Sequence, residues 1–437
     1  MKTETMILAA TSDFAGKMRG KAFPSGDLEK RLKRGVGWTP TNVQITCFDT
    51  IADSPYGALG DLVLIPDPAT MVETSFVDDL PEERFVIGDI LETNGTPWEC
   101  CTRSILKSAL ERLESVAGLQ VFGAFEHEFH FVGADCPLGS AYTTAGFRAE
   151  RSFAETLTAV MRAASLKPDT FMKEYGIDQY EVTVGPVNGL AIADHAAILR
   201  ELVHLTAERT GRVSSFTPLR DPAGVGNGVH VHLSLRDVDG TPVTHDPAGK
   251  HELGAAAGQF IAGILKYLDR ILALTAPSVV SYTRLTPHRW SAAYNNLGFR
   301  DREASVRICP VSDLSDIDRA NQFNFEYRAA DAAASPYLAL AALVHAGVQG
   351  IEEGLNVPDA TEEDLSLLSE VDLKKRGFIR LPQTLEAALD AFAGDTTVKG
   401  WFPPAFADIY LKHKQAEMAF LAGKTEADVC AAYEAAY

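Results

Sequence analysis

Gly123-Ala-Phe-Glu-His-Glu-Phe-His-Phe131 and Gly226-Asn-Gly-Val-His-Val-His-Leu-Ser-Leu235 decide how this chain is read. Both alternate with a period of two, as a β-strand does. In the first, Glu126 and Glu128 take one face, and Phe125, Phe129 and Phe131 the other. In the second, His230, His232 and Ser234 share a face opposite Val229, Val231, Leu233 and Leu235. A strand face of carboxylates or imidazoles costs desolvation unless metal, phosphate or water answers it. Either stretch alone also fits a half-solvated antiparallel sheet. The pair, followed by an arginine-rich region, points to a sheet lining a charged, metal-holding site.

The chain has 437 residues, enough for two domains or a large domain with a smaller partner. Its net charge of −19 argues against nonspecific nucleic-acid binding, which needs a basic surface. Anionic substrates stay open, because a local arginine cluster can outweigh the global charge. None of the six cysteines forms a CxxC pair, which speaks against a zinc knuckle or a thioredoxin-type site. The adjacent Cys100 and Cys101 read as two ordinary buried or semi-buried thiols, and the scattered pattern suits a reducing cytosol. Residues 1–10 lack a basic lead and a hydrophobic core, so they read as a first strand, not a signal peptide. No uncharged apolar run is long enough for a membrane span.

Along the first hundred residues, 42–48 and 61–65 look extended, and Pro66-Asp67-Pro68 and Asn94-Gly95-Thr96-Pro97 are strong breakers. Residues 102–116 follow as an amphipathic helix, with Ile105, Leu106, Ala109, Leu110 and Leu113 at helical spacing. The change of character places a domain boundary near 95–102, giving a small domain over 1–98 and a larger one over 99–437. Further helices are expected over 152–164, 192–209, 253–274 and 336–355, with a helical tail over 406–437. A hairpin is expected around Gly176.

Glu174 and Glu181 would lie on opposite faces of one straight strand, but Gly176 and Asp178 favour a turn that brings both to one site. Glu326 sits in another alternating stretch, Asn324-Phe-Glu-Tyr-Arg328. Glutamates with a histidine make a hard, oxygen-rich environment that suits Mg²⁺ or Mn²⁺ better than zinc or copper. Arg284, Arg300, Arg302, Arg307 and Arg328 crowd one part of the chain, and 302–308 reads as strand-like. Guanidinium forks match carboxylate and phosphate oxygens, so this combination suggests phosphoryl transfer, with surface ion pairing as the plainer alternative. The Gly224-Val-Gly-Asn-Gly228 run precedes a strand, which fits neither a P-loop nor a dinucleotide fingerprint; it fits a backbone that approaches a ligand closely.

Taken together, these motifs resemble the glutamine synthetase superfamily over nearly the whole chain. The resemblance is carried by Phe48-Asp49, Glu126-His-Glu128, Gln179-Tyr-Glu181, Gly228-Val-His-Val-His-Leu-Ser234 and Ser281-Tyr-Thr-Arg284. It continues through residues 302–308, Glu326-Tyr-Arg328 and Ser335-Pro-Tyr-Leu338. It implies an α+β fold: a small N-terminal β-grasp domain and a large catalytic domain with a curved antiparallel sheet. It implies homo-oligomeric rings, commonly dodecamers, with sites between subunits. The implied reaction is ATP-dependent: the γ-carboxylate of glutamate is phosphorylated, and nitrogen then displaces phosphate to give an amide. By the resemblance, Glu128, Glu174 and Glu181 would hold one Mg²⁺ or Mn²⁺. Glu126, His230 and Glu326 would hold a second, in a site that takes two or three ions. Arg302, Arg307 and Arg328 would neutralise the transferring phosphoryl group. Arg284 would grip the α-carboxylate of glutamate and Gly226 contact its amino end. His232 and Ser234 would lie by the nucleotide, and Asp49 of the adjacent subunit would help bind or deprotonate the incoming nitrogen.

Three departures bear on that nitrogen. Ammonia-using members carry a flap glutamate where this chain has Trp290; a usual serine is Ala52, and a usual asparagine is Val225. An indole and a methyl group remove the negative and hydrogen-bonding character that an ammonium pocket needs, so the expected co-substrate is an organic amine. An ordinary glutamine synthetase, in which another acid such as Asp301 takes over, is the alternative enzyme. A non-catalytic ring-forming scaffold is the alternative from another class. The adenylylation loop of many bacterial members is not evident between 355 and 381, so no such tyrosine switch is expected.

Overall fold

The computed structural model describes residues 4–76, 80–133, 136–312, 314 and 318–437. The first sheet holds β1 (Met6–Ser12), β2 (Met18–Pro24), β3 (Val36–Trp38), β4 (Leu62–Pro66), β5 (Val72–Thr74) and β6 (Glu83–Glu92). Its order is β2-β1-β6-β4-β3, with β5 on β6 and only β1–β6 parallel. The expected first strand is thus β1; residues 1–3 lie outside the described residues.

The second sheet begins with β7 (Leu119–Phe131), β8 (Pro168–Lys173), β9 (Gln179–Val184), β10 (Val187–Asn188) and β11 (Ser214–Ser215). It continues with β12 (Val229–Asp237), β13 (Leu297–Phe299), β14 (Val306–Ile308), β15 (Phe325–Ala330) and β16 (Ala360–Thr361). The path is β16-β13-β14-β15-β12-β7-β9-β8, with β10 and β11 on β7. From β14 to β8 every pair is antiparallel. The edge is mixed, because β13 runs parallel to both β14 and β16. The connection from β13 to β14 reverses through Arg300 at φ 63°, so the strand-like reading of 302–308 holds only for Val306–Ile308.

The apolar faces of β7 and β12 enter the core: Phe125, Phe129, Phe131, Val231 and Leu233 are buried. Against them pack the Thr102–Ala117, Ala191–Arg209, Ala255–Thr275 and Pro336–Glu352 helices. The last two approach closely. A Cβ on Gly263 would lie 2.1 Å from the Ala346 carbonyl oxygen, and one on Gly350 2.2 Å from that of Gln259. No helix among the described residues is long and apolar enough to cross a membrane.

Two local expectations are corrected. Residues 42–48 are not extended: Thr41–Gln44 form a helical turn, held where Trp38 Nε1 donates to Asn42 Oδ1 at 2.8 Å. The tail is two helices, Phe406–Leu421 and Glu426–Ala436, separated at Gly423, whose φ of 78° a helix cannot continue.

One buried residue fastens the two sheets' surroundings together. Arg103, 2% exposed in the first turn of the Thr102–Ala117 helix, donates from Nε and Nη2 to the two carboxylate oxygens of Asp194 at 2.9 and 3.0 Å. Its Nη2 also reaches Asp67 Oδ2 at 2.7 Å, and Nη1 reaches Asp89 Oδ1 at 3.2 Å. Asp67 follows β4 and Asp89 lies in β6, whereas Asp194 belongs to the Ala191–Arg209 helix. The Tyr337 hydroxyl completes the cluster by donating to Asp194 Oδ1 at 2.7 Å.

Candidate active site

Strand register gathers the polar side chains. His230 stands opposite Glu126, Glu128 opposite Glu181, and Glu326 opposite both His232 and Arg307. Alternation then puts Glu126, Glu128, Glu181, His230, His232, Arg307, Glu326 and Arg328 on one face. Glu174 joins them from the turn after β8, through the bend expected from Gly176 and Asp178. There the Tyr142 hydroxyl donates to Glu174 Oε2 at 2.8 Å.

The contacts form two linked groups. His230 Nδ1 lies 2.6 Å from Glu126 Oε1, and His232 Nε2 lies 3.6 Å from Glu126 Oε2 and 3.2 Å from Glu326 Oε2. Glu326 Oε1 accepts from Arg307 Nη1 at 2.9 Å and Arg328 Nη1 at 2.8 Å. On the other side, Glu128 Oε2 accepts from Gln179 Nε2 at 3.0 Å and from the Gly228 N–H at 2.9 Å.

The charges are unequally answered. Burial raises Glu126 and Glu326, but hydrogen bonds from the histidines, with the Arg328 charge at Glu326, outweigh it and hold both below the usual range. Glu128 is pushed up to about 8 by burial, with the charges of Glu174 and Glu126 adding to it. Glu181 is pushed up to about 9 by burial and then by Glu126, Glu128 and Glu174. A buried group of carboxylates with too little positive charge fits divalent cations. Its donors are hard oxygens, the kind that Mg²⁺ and Mn²⁺ take.

A titration follows from this. With both groups raised, metal-free protein is expected to hold protons on Glu128 and Glu181 at neutral pH, and divalent cations seated there would displace them. Calorimetric titration with Mg²⁺ at pH 7.5, in buffers of different ionisation enthalpy, is expected to show release of about one to two protons per site. Identical heats in all buffers would refute it. Both folded-state values lie above the ordinary 4.5, so the stability these groups contribute is complete below that pH, is lost progressively as pH rises from there to about 8 and about 9, and changes no further above them. The melting temperature of metal-free protein is expected to fall over that window.

Arg284 is buried beside this group. Its Nη1 donates to Ser291 Oγ at 3.1 Å and its Nη2 to the Ala330 carbonyl oxygen at 3.0 Å, with Asp331 Oδ2 at 3.6 Å. Gly226 lies against it: a Cβ there would fall 2.6 Å from Arg284 Cγ and Cδ. Within the chain, the close approach of the glycine run is to the aliphatic stem of Arg284 and to the Pro218 carbonyl oxygen. Ser234 and His232 line a cavity of about 410 Å³ with Glu126, Glu181 and Asn324.

Arg302, Trp290 and Asp49 stand apart from the carboxylate group. Arg302 is exposed and lines a neighbouring cavity with Trp290, while its carbonyl oxygen accepts from Arg328 Nε at 3.0 Å. Trp290 is 60% exposed at φ 51°. Asp49 sits in the loop between the Thr41–Gln44 turn and β4 with its side chain 88% exposed, and Arg19 Nη1 is 3.9 Å away.

Sequence reading missed several partners. Gln179 ties Glu128 to the Gly226 carbonyl oxygen at 2.9 Å and to Asn227 Oδ1 at 3.0 Å. Its position two residues before Glu181, on the same strand face, was the available signal. Cys309 Sγ lies 3.6 Å from His232 Nδ1, and Asn324 Oδ1 lies 3.0 Å from the same nitrogen. Glu303 takes the N–H groups of both His288 and Trp290, at 3.1 and 3.0 Å. No local pattern announces Cys309 or Glu303.

Paired guanidiniums anchored beside a carboxylate-rich sheet suit a metal-assisted phosphoryl transfer. Comparison with known proteins makes this specific. The chain belongs to the glutamine synthetase family: the model of the N-terminal domain matches residues 2–98 and that of the catalytic domain residues 99–433. It is an ATP-dependent glutamate–amine ligase, ammonia counted among the amines, of a family that uses divalent metals. The gamma-glutamylpolyamine synthetase GlnA3 of Streptomyces coelicolor is 31% identical over 99% of this chain and 93% of its own length. The glutamine synthetase of Thermococcus kodakarensis is 29% identical over 94% of this chain and 88% of its own. The crystal structure of a novel glutamine synthase homolog superposes with a TM-score of 0.92 at 39% identity, covering 100% of this chain and 99% of that one.

Proposed function

We propose that this ligase joins the γ-carboxylate of glutamate to an organic amine, through a γ-glutamyl phosphate. The observation that carries the reading is Trp290. Its indole occupies the flap position where an ammonium pocket would need a carboxylate, and it packs against Tyr175 with ring centroids 5.9 Å apart. The neighbouring acids are already engaged. Both Glu303 oxygens accept flap N–H groups, and Asp301 accepts the Glu303 N–H at 2.8 Å and Asn296 Nδ2 at 3.3 Å. The activity for which the Streptomyces relative is named supports the same direction.

In this reading Glu128, Glu174 and Glu181 hold one Mg²⁺ or Mn²⁺, and Glu126, His230 and Glu326 a second, within a site of two or three ions. The ions would neutralise the nucleotide phosphates. Arg307 and Arg328, fixed by Glu326, present fixed positive charge where the phosphoryl group is transferred, and Arg302 adds to them from the adjoining cavity. Arg284 holds the α-carboxylate of glutamate and Gly226 leaves room at its amino end. His232 and Ser234 border the nucleotide. Asp49, whose side chain stands free of this chain's own site, takes the amine proton in the neighbouring subunit of a ring, a dodecamer in the fullest form. Residues 1–98 and 99–437 act as the two domains that meet there. The residue chemistry and charge fit an enzyme working in the cytoplasm without nucleic acid or membrane.

The test is phosphate release with ATP and glutamate across a panel of amines. Organic amines are expected to turn over at least about tenfold faster than ammonium, a difference of about 1.4 kcal/mol in transition-state binding. Ammonium outrunning every amine would reject the reading.

A further inference from the structure

The loop that carries Asp49 is held from three sides. It is a tight tip, closed where Ile45 and Ile51 pair and where the Thr46 N–H donates to the Thr50 carbonyl oxygen at 3.0 Å. Phe48 packs on Phe420 with ring centroids 4.6 Å apart and tilts against Tyr433 at 5.0 Å. His413, buried in the Phe406–Leu421 helix, donates from Nε2 to the Ile45 carbonyl oxygen at 3.2 Å, since a carbonyl can only accept. Asp49 tops the tip at φ 55°, a left-handed conformation that aspartate tolerates better than most residues, with its carboxylate exposed.

The third hold is Arg19. Asp13, wholly buried between β1 and β2, accepts the Lys17 N–H on Oδ1 at 2.8 Å and Arg19 Nε on Oδ2 at 2.6 Å. Burying a carboxylate is costly, and this one fixes the orientation of a guanidinium. Arg19 Nη2 then donates to the Thr46 carbonyl oxygen at 3.1 Å and to that of Ile45 at 3.4 Å. Its Nη1 faces Asp49, 3.9 Å from Oδ1. A pair with an exposed carboxylate contributes little to stability. Its other consequence is geometric: one fork, ordered by a buried acid, sets both the base of the loop and the cation beside its tip.

We infer that Arg19 is a positioning residue for Asp49, holding the carboxylate where it meets the incoming amine of the neighbouring site. The inference rests on the role given to Asp49 above. There the carboxylate takes a proton from the ammonium group, breaking an N–H bond and forming an O–H bond. The freed nitrogen lone pair bonds to the γ-carbonyl carbon as phosphate leaves with the electrons of its C–O bond. Arg19 acts through Asp49 and touches none of the reacting atoms.

The experiment measures phosphate release by the full chain with ATP, Mg²⁺ and glutamate at pH 7.5. One nucleophile is butylamine or ammonium chloride, whichever turns over faster; both are protonated at this pH and need a base. The other is hydroxylamine, which is largely unprotonated and attacks without one. Asp49→Asn is expected to lower kcat/KM for the amine about a hundredfold relative to hydroxylamine. Arg19→Gln is expected to lower the same ratio about tenfold, with KM for ATP and glutamate unmoved. Added to Asp49→Asn, it should lower the ratio by less than about twofold more, because nothing is left to position. Equal losses for both nucleophiles, an unchanged ratio, or the full loss repeated on the Asp49→Asn background would each overturn the positioning role and leave Asp49 in place. An undiminished ratio in Asp49→Asn would overturn Asp49 as the proton acceptor, and the inference with it. Should Arg19→Gln fail to fold, Asp13→Asn combined with it removes the buried carboxylate together with its cation, and the same outcomes decide.

Discussion

Glu128→Ala is expected to lower kcat by on the order of 10³ or more, about 4 kcal/mol of barrier, while leaving the protein folded. Glu128 lies at the centre of the less compensated half of the site, between Gln179, the Gly228 N–H and the carboxylates that raise its pKa. Without metal it is held protonated at neutral pH by burial and its acidic neighbours, so its removal relieves little charge and takes an acceptor from Gln179 and the Gly228 N–H. The metal-free variant is therefore expected to melt somewhat lower than the wild type, whereas the stabilisation gained on adding Mg²⁺ should shrink sharply. Thermal melts with and without Mg²⁺, beside phosphate release, separate these effects. A variant that retained wild-type turnover would contradict a metal role for Glu128.

The second large effect is structural. Arg103→Met is expected to destabilise the protein by about 3–5 kcal/mol, because it leaves carboxylates in a buried site without their cation. Asp194 would lose both charged hydrogen bonds while keeping only the Tyr337 hydroxyl, and Asp89 would keep Lys107. Denaturant midpoints report the loss directly. Adding Asp194→Asn to Arg103→Met should recover part of it, since an amide costs less to bury than an unpaired carboxylate. A midpoint unchanged in Arg103→Met would show the cluster to be ornamental.

Much of the site was legible because strands write their faces in alternate residues. Alternation alone places Glu126, Glu128, His230 and His232 on polar faces, since Phe125, Phe129, Val231 and Leu233 have to go inward. The turn at Gly176 likewise announced that Glu174 and Glu181 would meet. What alternation does not carry is the pairing between distant strands. Nothing local states that Glu326 will stand opposite His232 on one side and Arg307 on the other. The same limit hid Glu303, which grips the flap from beyond Arg302, and Cys309, whose thiol meets His232 only after β14 and β12 are brought to the two sides of β15. The helical turn at Thr41–Gln44 escaped for a different reason. Val43 and Ile45 favour extended backbone, and what overrides them is tertiary: Asn42 Nδ2 donates to the Ser12 carbonyl oxygen at 3.3 Å, and the Phe14 N–H donates to the Asn42 carbonyl oxygen at 3.2 Å.

The Arg103 cluster also limits how the enzyme can breathe. A hinge between the N-terminal sheet and the larger sheet's helices would have to pull Asp67 and Asp89 from a guanidinium that Asp194 holds from the other side. Admission of substrate and departure of product then fall to short segments. The loop carrying Trp290 is held by two N–H bonds to Glu303 and by Arg289, which donates to the Gly224 and Pro222 carbonyl oxygens, so its movement breaks no buried charge cluster of the Arg103 kind.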